Sequence, residues 1–295
     1  MGAEGAATTT ETVRAPPRQE RPGVLRRFSR NPFAVAALGY LILVIVAAVF
    51  ATAITRYDPN RIGMGATLLP PSAEHWLGTD ESGRDEFTRL LHGARISLTI
   101  GVVAMLLSVT LGTAIGALAG VFGGMIDALT MRLTDAMLSI PIFFFLLTVL
   151  AVFGSAVPTI IVAIGLSSWM TAARVVRAEV LRTINLEYVV AARTLGAGRW
   201  RIVVLHLLPS AVPFMMVAST IGVGQAILTE SALSYLGVGV QPPVASWGNM
   251  LSNAQNYFFP APLLAIWPGM MILFTVLGFN FIGDSARDTL SPYQN

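Results

Sequence analysis

The sequence predicts an all-α integral membrane protein with six transmembrane helices. Three observations carry that reading. Of the 295 residues, 54% are hydrophobic, only 12% are charged, and the apolar residues are gathered into long runs. Soluble domains carry about 25% charged residues, twice what is available here to cover a surface. Mean hydropathy is +0.68. A run of about 18 or more apolar residues reads as a membrane helix. The short alternating segments of a closed barrel are absent.

The elements follow in order. Residues 1–24 are polar and rich in Ala, Thr, Arg and Pro, which predicts a disordered tail. Arg26, Arg27 and Arg30 precede the first apolar run, 33–54. Ala51-Thr52-Ala53 mimics a signal-peptidase site, but the run exceeds the ~7–15 residues of a signal-peptide core, so it reads as an uncleaved anchor. Residues 25–95 thus hold the first span and a hydrophilic insertion. A core of five further helices is expected over 96–282, with spans at 96–121, 136–153, 158–173, 211–236 and 262–282. The tail 283–295 is polar again.

Arginine placement sets the expected topology. Six arginines precede the first span, and Arg182, Arg193, Arg199 and Arg201 lie between the fourth and fifth. The loop between the fifth and sixth carries no charge. The positive-inside rule then places both termini and the fourth-to-fifth segment in the cytoplasm. The insertion after the first span is the exception, since it holds Arg56, Arg61, Arg84 and Arg89 and yet must face outward.

The residue inventory excludes several chemistries. There is no cysteine and no lysine. Disulfides, thiol catalysis and a G-x-x-x-x-G-K-[ST] phosphate loop are therefore impossible. Any ATP that drives this protein is bound by another chain. His75, His92 and His206 are scattered without metal-ligand spacing, and no nucleophile, base and orienter set is present. The expected cofactor content of the chain is none. The arginines flank spans rather than forming one basic surface, so nucleic acid is not an expected partner.

Segment 185–209 is the most informative. Asn185 is a candidate N-cap and Glu187 suits the first turn of a helix. Ala191 and Ala192 leave room for a close neighbour, and Gly196 suits a left-handed helix end. A second short helix is expected over 199–208, stopped by Pro209. The bland reading is an amphipathic loop on the membrane surface.

Here the sequence resembles the permease subunits of ATP-binding-cassette importers. Their signature is E-A-A-x-x-x-G, followed nine residues on by I-x-L-P. Ala191, Ala192, Gly196, Leu208 and Pro209 fall at those spacings. Val190 stands at the first position, the glutamate lies earlier at Glu187, and His206 replaces the isoleucine. The run Glu187-Tyr188-Val189-Val190-Ala191-Ala192-Arg193-Thr194-Leu195-Gly196 is similar to the peptide-permease branch. So are His75-Trp76-Leu77-Gly78-Thr79-Asp80-Glu81-Ser82-Gly83-Arg84-Asp85 and Glu230-Ser231-Ala232-Leu233-Ser234-Tyr235-Leu236-Gly237 leading to Ser246-Trp247-Gly248. A last match starts at Gly283-Asp284-Ser285-Ala286-Arg287-Asp288. The likeness spans 25–292 and is to the C-type permease of dipeptide and oligopeptide importers.

That resemblance implies a type I importer core in a bacterial inner membrane. It implies a cytoplasmic coupling helix formed by Glu187, Ala191, Ala192, Arg193, Gly196, His206 and Pro209. It places Gly78, Thr79, Asp80, Gly83, Arg84 and Asp85 in an extracytoplasmic turn, leading into an amphipathic outer helix. The implied partners are a second homologous permease, two ATP-binding-cassette ATPases carrying ATP and Mg, an extracytoplasmic substrate-binding protein, the lipid bilayer and a peptide substrate. Relatives of this permease also serve nickel chelates and glutathione. The chain itself is not expected to be an enzyme.

Three features stay open at this level. Glu230 is an acidic residue within an apolar span, either lining the pathway or a helix-end carboxylate that is hydrogen-bonded or packed against the partner permease. Gly112, Gly116, Gly120 and Gly124 form G-x-x-x-G steps for packing within the chain or between permeases. Asp127, Arg132 and Asp135 form helix-end pairs or a solvated loop. An ion-coupled secondary carrier is the functional rival. It would need several intramembrane ionisable groups and often internal repeats.

Overall fold

A computed structural model describes Phe28, residues 31–63 and residues 66–290. The expected N-terminal tail, Arg26, Arg27 and Arg30, and the end of the C-terminal tail lie outside the described residues.

The described residues form eleven α-helices. Helix α1 is Pro32–Val49, extended by the single turn α2, Ala51–Ile54. Asn31 caps α1, its side-chain oxygen accepting from the Phe33 and Ala34 amides, with Pro32 at the first position. At the other end, Arg95 donates to the Ala48 and Val49 carbonyls at 3.0 and 2.9 Å. A guanidinium there satisfies orphan acceptors and opposes the negative end of the helix dipole.

Helix α3, Glu86–Phe122, is the longest element at 37 residues. It begins well before the expected second span, so the boundary expected at residue 95 falls inside it. The helix expected after the Gly78–Asp85 turn is present but is continuous with the second span. That stretch is the first part of α3, because Asp85 caps it directly by accepting from the Thr88 amide at 2.8 Å. Gly123 ends α3 with φ of +60°.

The expected third span is broken. Helices α4, Gly124–Ser139, and α5, Ile142–Phe153, meet at 84°. Pro141 has no amide hydrogen to continue the ladder and drives Ile140 into an extended conformation, φ −82° and ψ 123°. Helix α6, Val157–Thr183, runs ten residues past the expected end of the fourth span, carrying Arg174 and Arg177 inside the helix.

After α6 come α7, Glu187–Thr194, and α8, Arg199–Ile202. A π turn, Val203–Leu207, joins α8 to α9, Leu208–Tyr235. Pro209 therefore does not stop a helix; it sits in the first turn of α9. The wider π turn absorbs the carbonyl that a proline ring would strike and the amide bond it cannot make. Helices α10, Trp247–Ala254, and α11, Leu263–Leu290, complete the fold.

Five helices are long and apolar enough to cross a bilayer, and the bent α4–α5 pair makes a sixth. The central packing is α3 against α6. A Cβ on Gly112 would stand 2.5 Å from the Ala172 Cβ, one on Gly116 2.3 Å from the Ala173 carbonyl oxygen, and one on Gly120 2.7 Å from Val180 Cγ1. Those three glycines serve packing within the chain. Gly124 is not part of that seam: it opens α4 at φ of +53° with nothing near its missing Cβ. Asp127 and Asp135 are not a solvated loop either. Asp127 is gripped by both ends of the Arg177 guanidinium, and Asp135 accepts from Arg174 at 2.5 Å, tying α4 to α6.

The α7 candidate site and two buried polar clusters

Helix α7 ends in a two-bond turn. The Gly196 amide donates to the Arg193 carbonyl and the Ala197 amide to the Ala192 carbonyl, both at 3.0 Å, with Gly196 at φ of +86°. This is the Schellman arrangement, which favours glycine at the left-handed position. The expected cap at Asn185 is not used. Residues 184 and 185 form the turn out of α6, so Leu186 becomes the residue before the helix, with no side-chain bond.

One side of α7 is fixed. Val189 is fully buried in a cluster with Val176 and Val180 of α6, Ile202, Val203 and Leu207. His206, in the π turn, meets the Tyr188 ring edge-on with centroids 5.8 Å apart. The other side is bare. Tyr188 and Val190 are about half exposed and Leu195, at the tip, is 88% exposed. Glu187, Ala191 and Arg193 are exposed beside them, Ala192 is half-buried and Pro209 is exposed. Sequence reasoning overlooked Tyr188 and Leu195 as surface groups. Their signal was the apolar alternation of a helix too short to bury two faces.

The two helices that hold this segment also line a large cavity. It encloses about 1090 Å³ between the α4–α5 bend, α6, α9 and the end of α11. Its wall is mainly apolar, with Ser168, Thr171, Gln225 and Thr229 supplying hydroxyl and amide groups. Glu179, Arg182 and Arg287 stand at the end nearest α7. Glu179 is buried and accepts from Arg182 at 2.9 and 2.6 Å and from Thr183 at 3.2 Å. No sequence signal marked this cavity, because single Ser and Thr residues in apolar helices commonly bond their own backbone. Thr229 does so here, donating to the Gln225 carbonyl at 2.8 Å.

Glu230 does not line the cavity. It is fully buried, accepting from Ser97 at 3.0 Å, Ser234 at 2.7 Å and Ser231 at 3.4 Å. Ser234 in turn accepts from the Val240 amide, and Ser97 from the Trp247 amide. The fully buried Trp247 indole donates to the Leu90 carbonyl. Gly239 and Gly248 let the loop close on α9, since a Cβ on either would fall within 2.6 Å of Ser234 or Ser231. The whole Glu230–Gly248 stretch is thus one polar knot joining α3, α9 and α10.

A second knot closes the segment before α3. Asp80 accepts from the Ser82 and Arg84 amides at 2.9 Å and from the Arg84 Nε at 2.6 Å, and it faces Arg89 Nε at 3.3 Å. Arg84 also reaches Glu81 at 2.9 Å, and His75 Nδ1 lies 2.9 Å from Asp85. Thr79 is buried, its amide bonded to the Leu69 carbonyl and its hydroxyl to that of Ala66. Gly78 and Gly83 adopt φ of +89° and +69°. Among the described residues, no group of three or more His, Cys, Asp or Glu is placed to hold a metal.

Comparison with known proteins agrees with this architecture. Residues 112–293 match the family described as binding-protein-dependent transport system inner membrane component, and residues 23–71 match the N-terminal TM domain of oligopeptide transport permease C. The oligopeptide transport system permease protein OppC of Bacillus subtilis is 40% identical over 266 residues, covering 90% of this chain and 87% of its own. The nickel transport system permease protein NikC of Escherichia coli is 39% identical over 258 residues, covering 86% and 93%. Among solved structures, an inward-facing form of the MetNI methionine ABC transporter superposes with a TM-score of 0.56 at 21% identity, over 68% of this chain and 96% of that one. The chain belongs to the binding-protein-dependent transport system inner membrane components: it is a multi-pass inner-membrane permease subunit of an ATP-binding-cassette transporter, not itself catalytic.

Proposed function

We propose that this permease imports dipeptides or oligopeptides, pairing with a second homologous permease and taking its drive from cytoplasmic ATPases that dock on α7. The observation that carries this reading is mechanical. Helix α7 presents bare apolar groups on one side, and on the other it is anchored through Val189 to α6 and to the start of α9. Those same two helices wall the 1090 Å³ cavity. A push on Leu195 therefore reaches the cavity wall through close-packed side chains, which do not deform continuously.

The cavity is half of the proposed pathway, its open side completed by the partner permease. Hydroxyl and amide groups on a mainly apolar wall, with Glu179, Arg182 and Arg287 at one end, suit a solute rich in backbone amides. An extracytoplasmic binding protein delivers that solute to the face carrying the Asp80–Arg84 knot. Both termini and α7 lie in the cytoplasm on this reading. A nickel chelate is the second reading, motivated by the near-equal identity to the nickel and oligopeptide permeases.

The absence of native cysteine makes the test clean. Leu195→Cys in the assembled transporter should crosslink to an ATPase subunit carrying a single groove cysteine, and should label from the cytoplasmic side alone. Labelling of Leu195→Cys from outside the cell would overturn the docking role. Proteoliposomes given labelled peptide or chelated nickel, each with the cognate binding protein, separate the two substrates.

A further inference from the structure

On the opposite side of α9 from the proposed pathway lies a second recess. Its deep part is a groove of about 530 Å³ between α3 and the run from α8 into α9. The groove walls are almost wholly apolar, including Ala114, Leu118, Val203 and Met215. At its mouth it shares Val121, Phe122, Arg199 and Val203 with a smaller polar pocket of about 270 Å³, which Arg193 also lines. One recess is therefore apolar along its length and cationic at one end.

The dimensions match one leaflet of a bilayer. From Phe122 at the mouth back to Val109, α3 climbs thirteen residues, roughly 20 Å at about 1.5 Å per residue. Half a hydrocarbon core is about 15 Å. The mouth also carries Trp200, 66% exposed, the amphipathic ring favoured at headgroup level.

Among the described residues, neither Arg193 nor Arg199 has a carboxylate partner, while Arg174, Arg177 and Arg182 on the neighbouring α6 are all paired. Arg199 instead stands over the Phe122 ring, 6.0 Å from its centroid. That contact fixes the guanidinium at the boundary between groove and pocket and leaves its donors directed elsewhere.

We propose that this recess is a binding site for an anionic phospholipid, with its phosphate on Arg193 and Arg199 and one acyl chain in the groove along α3. A free phosphate accounts for the arginines but leaves the apolar groove without an occupant. A neutral lipid fills the groove but leaves two adjacent cations unanswered. The proposal needs only that this end of the bundle meets a membrane surface, and it does not depend on which solute is carried or on docking at α7. Because α7 and the groove share Arg193 and the cluster around Val203, lipid occupancy sits next to the proposed lever.

The test uses the intact transporter in phosphatidylcholine nanodiscs doped with phosphatidylglycerol, with retained lipids counted by native mass spectrometry. Each arginine near a membrane surface contributes about a five-fold preference for an anionic headgroup, so the pair predicts about a 25-fold enrichment of phosphatidylglycerol. Arg193→Gln with Arg199→Gln should abolish the enrichment. Ala114→Trp, which fills the groove and keeps both charges, should displace the lipid too. Equal retention of both lipids by the native transporter would overturn the proposal. So would enrichment that survives Ala114→Trp or is displaced by excess inorganic phosphate, since either result leaves the groove without a role. Loss of ATPase subunits from Ala114→Trp with lipid retention unchanged would assign the groove to a protein partner instead, against the proposal.

Discussion

Replacing Gly196 probes the proposed lever with a cost that can be worked out from the turn itself. Nothing lies within 4 Å of the position a Cβ would take, so Gly196→Ala meets no steric barrier. Its cost is conformational alone: holding an L-residue at φ of +86° takes about 1–2 kcal/mol. That lowers the population of the closed turn by roughly 5–30-fold relative to open alternatives. Gly196→Pro is far more severe. Proline holds φ near about −65° and has no amide hydrogen, so the bond to the Arg193 carbonyl is lost and the left-handed turn cannot form. The Ala197-to-Ala192 bond goes with it, because it closes the same turn. Leu195 is then no longer fixed relative to Val189. The assay is peptide uptake and ATP hydrolysis measured together in proteoliposomes holding the assembled transporter. Gly196→Ala should lower uptake per ATP by a few-fold. Gly196→Pro should insert normally yet lose at least about ten-fold in uptake, with hydrolysis no longer stimulated by loaded binding protein. Normal uptake in Gly196→Pro would refute the lever.

The remaining predictions concern packing and access. Glu230→Leu should destabilise by about 1–3 kcal/mol for each serine hydroxyl left buried without its acceptor, read as a lower Tm in detergent, whereas Glu230→Gln retains an acceptor and loses less. Gly116→Val should cost about 1–3 kcal/mol or more, since its Cβ lands 2.3 Å from a backbone oxygen of α6, while Gly39→Ala, with nothing nearby, should cost nothing in the same melt. Asp80→Ala leaves Arg89 buried without its carboxylate and Arg84 with Glu81 alone, and should lower stability by about 3–5 kcal/mol in the same assay. Gln225→Cys should react with a small thiol reagent and lose uptake when labelled, while the fully buried Ile227→Cys should stay unreactive.

The fold was legible where chemistry is local and hidden where it is not. Apolar runs located the membrane helices, because burying twenty residues in lipid demands composition and little else. Gly196 was readable as a left-handed helix end, since few other residues tolerate that backbone. Three boundaries were not readable. Pro141 and Pro209 are both prolines in apolar runs, yet one breaks its span and the other rides on a π turn; the difference lies in whether the preceding turn can widen against its neighbours. The continuity of α3 was hidden because Glu86, Arg89 and Arg95 made residues 86–95 read as a separate outer element, while Asp80 holds both Arg84 and Arg89 inside. The cavity was least legible of all. It is defined by the space between helices, and its polar groups are ordinary hydroxyls that carry no sequence signature.

The distribution of polar contacts has a mechanical consequence for the proposed cycle. At one end of the bundle, the Glu230–Trp247 knot and the Asp80–Arg84–Arg89 knot are buried and bonded many times over, and both grip α3. Opening either would strand several polar groups away from water, each at a cost of about 1–3 kcal/mol. At the other end, α6, α7 and α9 meet mainly through an apolar cluster, with one hydroxyl contact across it, Thr183 to Ser210 at 3.1 Å, so sliding there strands fewer polar groups. The ion pair of Arg174 with Asp135 there is half exposed and costs little to exchange for water. On the proposed reading, force applied at α7 is resisted less at its own end than at the far one, where the Glu230–Trp247 knot ties α9 to α3. In the proposed cycle, that asymmetry makes the α7 end of the cavity the part that opens and closes, while the Glu230–Trp247 knot holds α9 to α3 throughout.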